Sequence, residues 1–208
     1  MPLRTIGMIT ACTRRCLLSS SSQLLPAPRL PRRCASTKGA GRTPRTKTYS
    51  LVSAATSPVA TSSLTSDGHS IATDLPRIIG GDDTAAQPVY LLLASLVGCE
   101  HATAAFVARQ MKPRVNLRGV HFDISAERDE RGAIALPLTT PAEELPHSRL
   151  QRIAGTATVD CDATQEQVDE LSRLVKLRCP VANMVSLSGC ELDIKWQKGG
   201  LPVDGAPS

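Results

Sequence analysis

PVYLLLASLVGCEHATAAFVARQM, Pro88–Met111, is the stretch on which the reading of the whole chain turns. Proline at its head costs no helical hydrogen bond and presets φ, so it opens a helix. Leu92, Leu96, Cys99, Thr103 and Phe106 step by four, three, four and three, which places them on one face. The opposite side is small or apolar too, so the pattern predicts a helix buried nearly all round. The competing reading is a membrane span. Its uncharged run ends at Glu100, about twelve residues after Pro88, against the ~20 that a bilayer requires. We read a core helix and no membrane span. A chain this small cannot cover so apolar a helix alone, and a second copy across a two-fold axis is expected to complete the burial.

Working outward, Thr46–Thr73 is strand-like. TKTYSLVSA and VATSSLT are rich in Thr, Val and Ser, with Thr56-Ser57-Pro58 as a turn between them. Asp67-Gly68 is a second turn, and His69–Thr73 a third short strand. Asp74–Asp83 is a Pro/Gly/Asp loop without periodicity. Beyond the helix, VNLRGVHFDISAE (115–127) alternates with period two, Gly119 marking a bulge or edge. Asp129–Gly132 reads as a turn and Ala133–Leu138 as a short return strand; RLQRIAGTATVDC (149–161) is another strand. Asp162 or Thr164 caps a second helix, Thr164 and Gln167 having capping-box spacing, and its apolar positions, Val168, Leu171, Leu174 and Val175, continue to Cys179. Pro180 removes one ladder bond and loosens that helix. Glu191–Gln197 is the closing strand. The order gives an α+β chain, antiparallel β-sheets packed on two central helices.

At 208 residues, 41% hydrophobic and 21% charged, the chain can bury a core. Its charge is divided. Residues 1–48 hold ten of the 24 Lys/Arg and no carboxylate; in the remainder 19 acids outnumber 14 bases, a net charge of −5. The basic character therefore belongs to the tail, and with aromatics at 2% no nucleic-acid surface is expected on the folded part. An acid-free, Ser-rich, mildly amphipathic segment broken by Arg4, Arg14 and Arg15 suits mitochondrial import better than secretion. The expected organisation is a targeting presequence over 1–45, a folded domain over 46–198 and a flexible tail over 199–208.

Seven cysteines are present, three of them (Cys12, Cys16 and Cys34) in the basic segment. Cys99, Cys161, Cys179 and Cys190 remain, none in a CxxC pair, which disfavours a zinc ribbon. In a reducing matrix, structural disulfides are uncommon, so a functional thiol becomes the question. Cys161 and Cys190 are expected to be structural. A Cys99–His101–Cys179 metal site lacks a closed ligand set, and no metal or cofactor is expected.

Four segments resemble the OsmC/Ohr family of thiol-dependent hydroperoxide reductases, over about Thr46 to Gln197. They are GHSIATDLP (68–76), GGDD (80–83) leading to Pro88, LLLASLVGC (91–99) and RCPVAN (178–183). The resemblance implies an intertwined homodimer with two active sites at the subunit interface, each holding one cysteine pair. It implies that Cys99 is peroxidatic, its thiolate attacking an organic hydroperoxide, and that Cys179 resolves the resulting sulfenic acid as a disulfide. An external thiol or dithiol then reduces that disulfide. Leu92, Leu96, Phe106 and partner residues would line the pocket. A cysteine thiol ionises near pH 8.5 at best when unassisted, so a cation is needed. In the family an arginine serves, steered by a glutamate just after the loop proline. Here Val89, Tyr90 and Leu91 follow Pro88; Arg45, Arg77 and Arg178 are the candidate cations by chemistry, and His101 lies roughly 200° around the helix from Cys99. The alternative is a family-fold protein that holds a small apolar or electrophilic ligand at the dimer interface without turnover. A third reading is a slow Cys99–Cys179 disulfide that senses oxidation and alters partner binding.

Overall fold

The computed structural model describes residues 46–200. The basic segment 1–45, with Arg45 and three cysteines, and residues 201–208 of the expected tail lie outside the described residues. The chain begins with an antiparallel meander, β1 (Leu51–Ala55), β2 (Thr61–Thr65) and β3 (Ser70–Thr73), paired in that order. Ser57 closes the first turn by accepting from Val59 N and Ala60 N. Gly68, at φ +88°, supplies the left-handed residue of the second. No strand residue of this meander is fully buried.

The loop that launches the long helix is organised by Asp74. Its buried carboxylate accepts from Leu75 N (2.7 Å), Thr84 N (3.0 Å), Thr84 Oγ1 (2.8 Å) and Asp82 N (3.3 Å). The bonds from Thr84, backbone first, hold its carboxyl below the usual range, because they favour the charged form. At Gly81 a Cβ would strike the Leu75 carbonyl and come within 2.8 Å of Asp74 Oδ1, so the close approach admits glycine only. These contacts account for an aspartate and a glycine of the motif segments. Helix α1 (Pro88–Gln110) follows.

A second sheet is built from β4 (Leu117–Glu127), β5 (Arg152–Cys161) and β6 (Glu191–Lys198), with the expected bulge between Leu117 and Gly119. Strands β4 and β5 are antiparallel, whereas β5 and β6 are parallel. The parallel pair arises because the connection between them carries two helices, α3 (Gln165–Arg178) and α4 (Pro180–Leu187), which return the chain to the starting edge. Helix α3 starts on the complete capping box of Thr164 and Gln167. Leu96, Ile153, Val159, Val168, Leu171 and Val175 form the fully buried centre, and Trp196 packs edge-on against Phe122 at 5.7 Å.

One expectation needs correction. Ala133–Leu138 forms no strand. Arg131–Ile134 is instead a short helix, α2, started by Asp129 Oδ1 accepting from Arg131 N. Its Gly132 lies against the Pro146 backbone with no room for a Cβ, and the Ser148 hydroxyl donates to the Gly132 carbonyl. Among the described residues, helix α1 is covered incompletely. Leu96, Glu100, Ala104, Val107 and Ala108 are buried, while Tyr90 is 61%, Phe106 50% and Leu92 42% exposed. By length and composition α1 resembles a membrane span, yet its buried side packs in the core beside α3, α4 and β4.

Candidate active site

Cys99 lies at the edge of the buried side of α1, half-exposed; Cys179 is fully buried. The expectation that Cys179 continues the second helix is corrected. Pro180 cannot supply the next N–H, so α3 stops at Arg178, and Cys179 caps the end of α3 and the start of α4 together. Its N–H donates to Val175 O (2.8 Å), the Asn183 side-chain amide donates to its carbonyl (2.8 Å), and Ala182 N donates to its Sγ (3.4 Å). Both thiols are free, and Cys99 lies close enough to this sulfur to act on its titration. Burial pushes the Cys179 thiol up to about 11; the Ala182 N–H opposes this, and the neighbouring Cys99 adds to it. Cys179 is therefore held as a thiol at neutral pH.

Cys99 opens on a cleft of about 410 Å³ lined by Ala102, Thr103, Phe106 and Arg178. Arg178 also borders an adjoining cavity of about 210 Å³ with Phe106, Val107, Gln110, Met111 and Leu174. Of the two candidate cations among the described residues, Arg178 shares a cleft with the thiol and Arg77 does not. Arg77 is engaged on the loop, its Nε donating to Asp82 O (3.4 Å), and Arg45 lies outside the described residues. His101 is exposed and lines no cavity with Cys99. Of the expected apolar lining, only Phe106 faces this cleft. Leu96 is buried in the core, and Leu92 borders a different cavity near the start of α1.

One group was not foreseen. Glu100 follows Cys99, so it points about 100° away, into the core. It is fully buried and neither carboxylate oxygen has a hydrogen-bond partner among the described residues. Burial raises its carboxyl from the usual 4.5 to about 7, with the Lys176 charge in partial opposition. In sequence it reads merely as the first charge ending an apolar run, and no local signal marks it as buried. Among the described residues no cluster of His, Cys, Asp and Glu is arranged to hold a metal.

Comparison with known proteins agrees with this architecture. The profile described as OsmC-like protein matches residues 80–195, more than half of the chain. The chain belongs to the OsmC-like protein family. Solved structures of similar fold include an OsmC-like protein from Mycoplasma pneumoniae, at 18% identity and TM-score 0.58, covering 73% of this chain and 97% of that one. An organic hydroperoxide resistance protein from Legionella pneumophila matches at 18% identity and TM-score 0.55, covering 74% and 99%. Another from Elizabethkingia anophelis, with thiocyanate bound, matches at 16% and 0.54, covering 76% and 100%. No curated protein matches the sequence. At these identities the likeness establishes the fold, and the chemistry has to be argued from this chain's own residues.

Proposed function

We propose that this OsmC-like protein is a thiol-dependent peroxidase that reduces organic hydroperoxides through Cys99 and Cys179. The reading rests above all on the pairing of a partly buried Cys99, open to a cleft, with a buried Cys179 near enough for the two thiols to influence one another. The Cys99 thiolate attacks the outer oxygen of ROOH; the O–O bond breaks, the sulfur becomes a sulfenic acid and the alkoxide takes a proton to leave as ROH. Cys179 sulfur then displaces hydroxide from the sulfenic acid, its own proton completing a water, and an S–S bond forms. Two thiol equivalents from an external reductant return both cysteines to the reduced state. Arg178 takes the part of the thiolate-stabilising cation, since it shares the cleft with Cys99. The half-exposed Phe106 beside that cleft suits the carbon portion of an organic peroxide.

The working form is a homodimer. The uncovered side of α1 and the meander's lack of buried side chains both call for a second copy. The basic segment 1–45 supports mitochondrial placement of that dimer.

The test is consumption of cumene hydroperoxide with a dithiol reductant. Cys99→Ser is expected to abolish turnover, whereas Cys179→Ser accumulates a sulfenic acid on Cys99 that dimedone traps. Arg178→Gln is expected to lower kcat/KM about a hundredfold, with Arg178→Lys recovering part of it. A wild-type protein that consumes no peroxide would sink the reading. Val89, standing where the family places its glutamate, favours a second one: a ligand-holding protein without turnover. In that case Cys99→Ser alters ligand affinity and no peroxide is lost.

A further inference from the structure

A second cavity, sharing no lining residue with the Cys99 cleft, lies where the start of α1, helix α4 and the approach to β5 meet. Its volume is about 340 Å³, and Val89, Leu92, Leu150, Met184 and Val185 give it an aliphatic wall. Two guanidinium groups, of Arg128 and Arg149, stand in the same lining, and no carboxylate does.

Neither arginine has a carboxylate partner within that lining. Arg149 makes no ion pair among the described residues; one terminal nitrogen donates to the Gly189 carbonyl (3.0 Å), and its buried Nε has no partner. Arg128 has only a long pair with the exposed Glu130, at 3.7 Å. The Arg149 guanidinium is also seated by design of the backbone. Gly189 adopts φ +83°, and a Cβ there would come within 2.8 Å of an Arg149 terminal nitrogen. A side-chain-free turn thus keeps a charged group beside the cavity with a donor unspent, and an orphaned donor in a partly buried place costs free energy unless something accepts from it. The thiol of Cys190, buried in the same wall, feels the Arg149 charge.

We propose that this cavity binds a small amphipathic carboxylate, its aliphatic body against the five apolar side chains and its carboxylate between Arg128 and Arg149. A volume near 340 Å³ accommodates roughly ten non-hydrogen atoms. An uncharged apolar ligand would leave both cations desolvated without compensation; a bare inorganic anion would leave the aliphatic wall unused. In the dimer proposed above, a partner packed on α1 would border the cavity at Leu92.

Titration calorimetry of the full chain with octanoate tests this. Saturable one-site binding is expected, weakening with added salt, with octanol and inorganic phosphate each at least tenfold weaker. Arg149→Gln and Arg128→Gln are each expected to weaken octanoate about tenfold, the loss of one charge-assisted contact. Because Arg149 also supports the Gly189 turn, Met184→Glu provides an independent variant. Met184 is 72% exposed, so the fold tolerates the change, and the new carboxylate repels the ligand at the rim. Octanoate is further expected to slow alkylation of Cys190, read by peptide mass spectrometry. Binding persists in Cys99→Ser, which separates this site from the peroxidase reading. Octanol binding as tightly as octanoate, unchanged affinity in all three charge variants, or absence of binding at millimolar octanoate would each overturn the proposal.

Discussion

The two three-stranded sheets are opposites. In the β4-β5-β6 sheet, alternate residues such as Ile153, Ala157, Val159, Ile194 and Trp196 vanish beneath α1, α3 and α4. In the β1-β2-β3 sheet, Leu51, Val52, Leu64 and Ile71 remain exposed. Helix α1 shows the same division around its circumference, with an inversion. Its covered side carries a carboxylate, Glu100, while Leu92 and Phe106 stand exposed beside it. Burial inside one chain therefore does not follow hydrophobicity here. The apolar groups left in water are those to which the described residues bring no neighbour, and the homodimer proposed above would cover them.

The largest effect that would sharpen this contrast comes from matched leucines. Leu171→Ala empties the centre of the core and is expected to cost about 2–5 kcal/mol at any protein concentration, measured by urea unfolding. Leu64→Ala, in the exposed meander, is expected to cost under ~1 kcal/mol at concentrations where the chain is monomeric. Its effect should appear instead as weaker self-association in analytical ultracentrifugation. Equal losses in dilute protein would mean that the first sheet already has a cover within its own chain.

Next in size is the inverted residue on the covered side. The Glu100 carboxyl, raised from 4.5 to about 7, binds its proton more tightly folded than unfolded. Its neutral form is thus fully compatible with the fold below pH 4.5, and stability is lost as pH rises from there through 7. The loss amounts to about 3 kcal/mol and stays constant at higher pH. Lys176, the charge that acts on it, reduces the loss without removing it. Glu100→Met keeps the length and removes the charge. It is expected to exceed the wild type by about that amount at pH 8 and by little at pH 4. A gain that is the same at both values would show that the carboxyl does not titrate in place.

How much of this was legible beforehand divides along the same line. Elements declared by local pattern were read correctly: the meander with its Ser57-Pro58 and Asp67-Gly68 turns, the Gly119 bulge, the Thr164 capping box and the start of α1 at Pro88. Each depends on a few adjacent residues whose backbone preferences act alone. What escaped were matters of which surface meets which. Glu100 differs from any exposed glutamate only in the element that crosses above it. Cys179 continues the apolar periodicity of α3, and the pattern cannot show that Pro180 turns it into a hinge between two helices. Ala133–Leu138 has strand-like composition, but the segment opens in helix α2, whose Gly132 is held by Ser148 and Pro146, more than a dozen residues further on. The resemblance pointed to Cys99 and Cys179. It could not say which arginine lines the Cys99 cleft, because Arg178 comes to it only through the packing of α3 on α1.

The smallest expected effect asks whether the local and the tertiary parts are separable. Thr164 Oγ1 accepts from Gln167 N (3.4 Å), and the Gln167 side chain accepts from Thr164 N (3.0 Å). Thr164→Ala removes the first bond and leaves the second without its reciprocal, so about 1 kcal/mol of stability should be lost. The thiol pair lies at the other end of α3, about 20 Å away along its axis. There, Val175 O, Ala182 N and the Asn183 amide hold Cys179 independently of the cap. The rate at which diamide closes the Cys99–Cys179 disulfide should therefore equal that of the wild type, followed by loss of free thiols in native buffer. A tenfold slower closure would show that α3 acts as a lever and that fraying at its start is felt at the hinge. The site would then depend on the stability of the whole helix rather than on three bonds around Cys179.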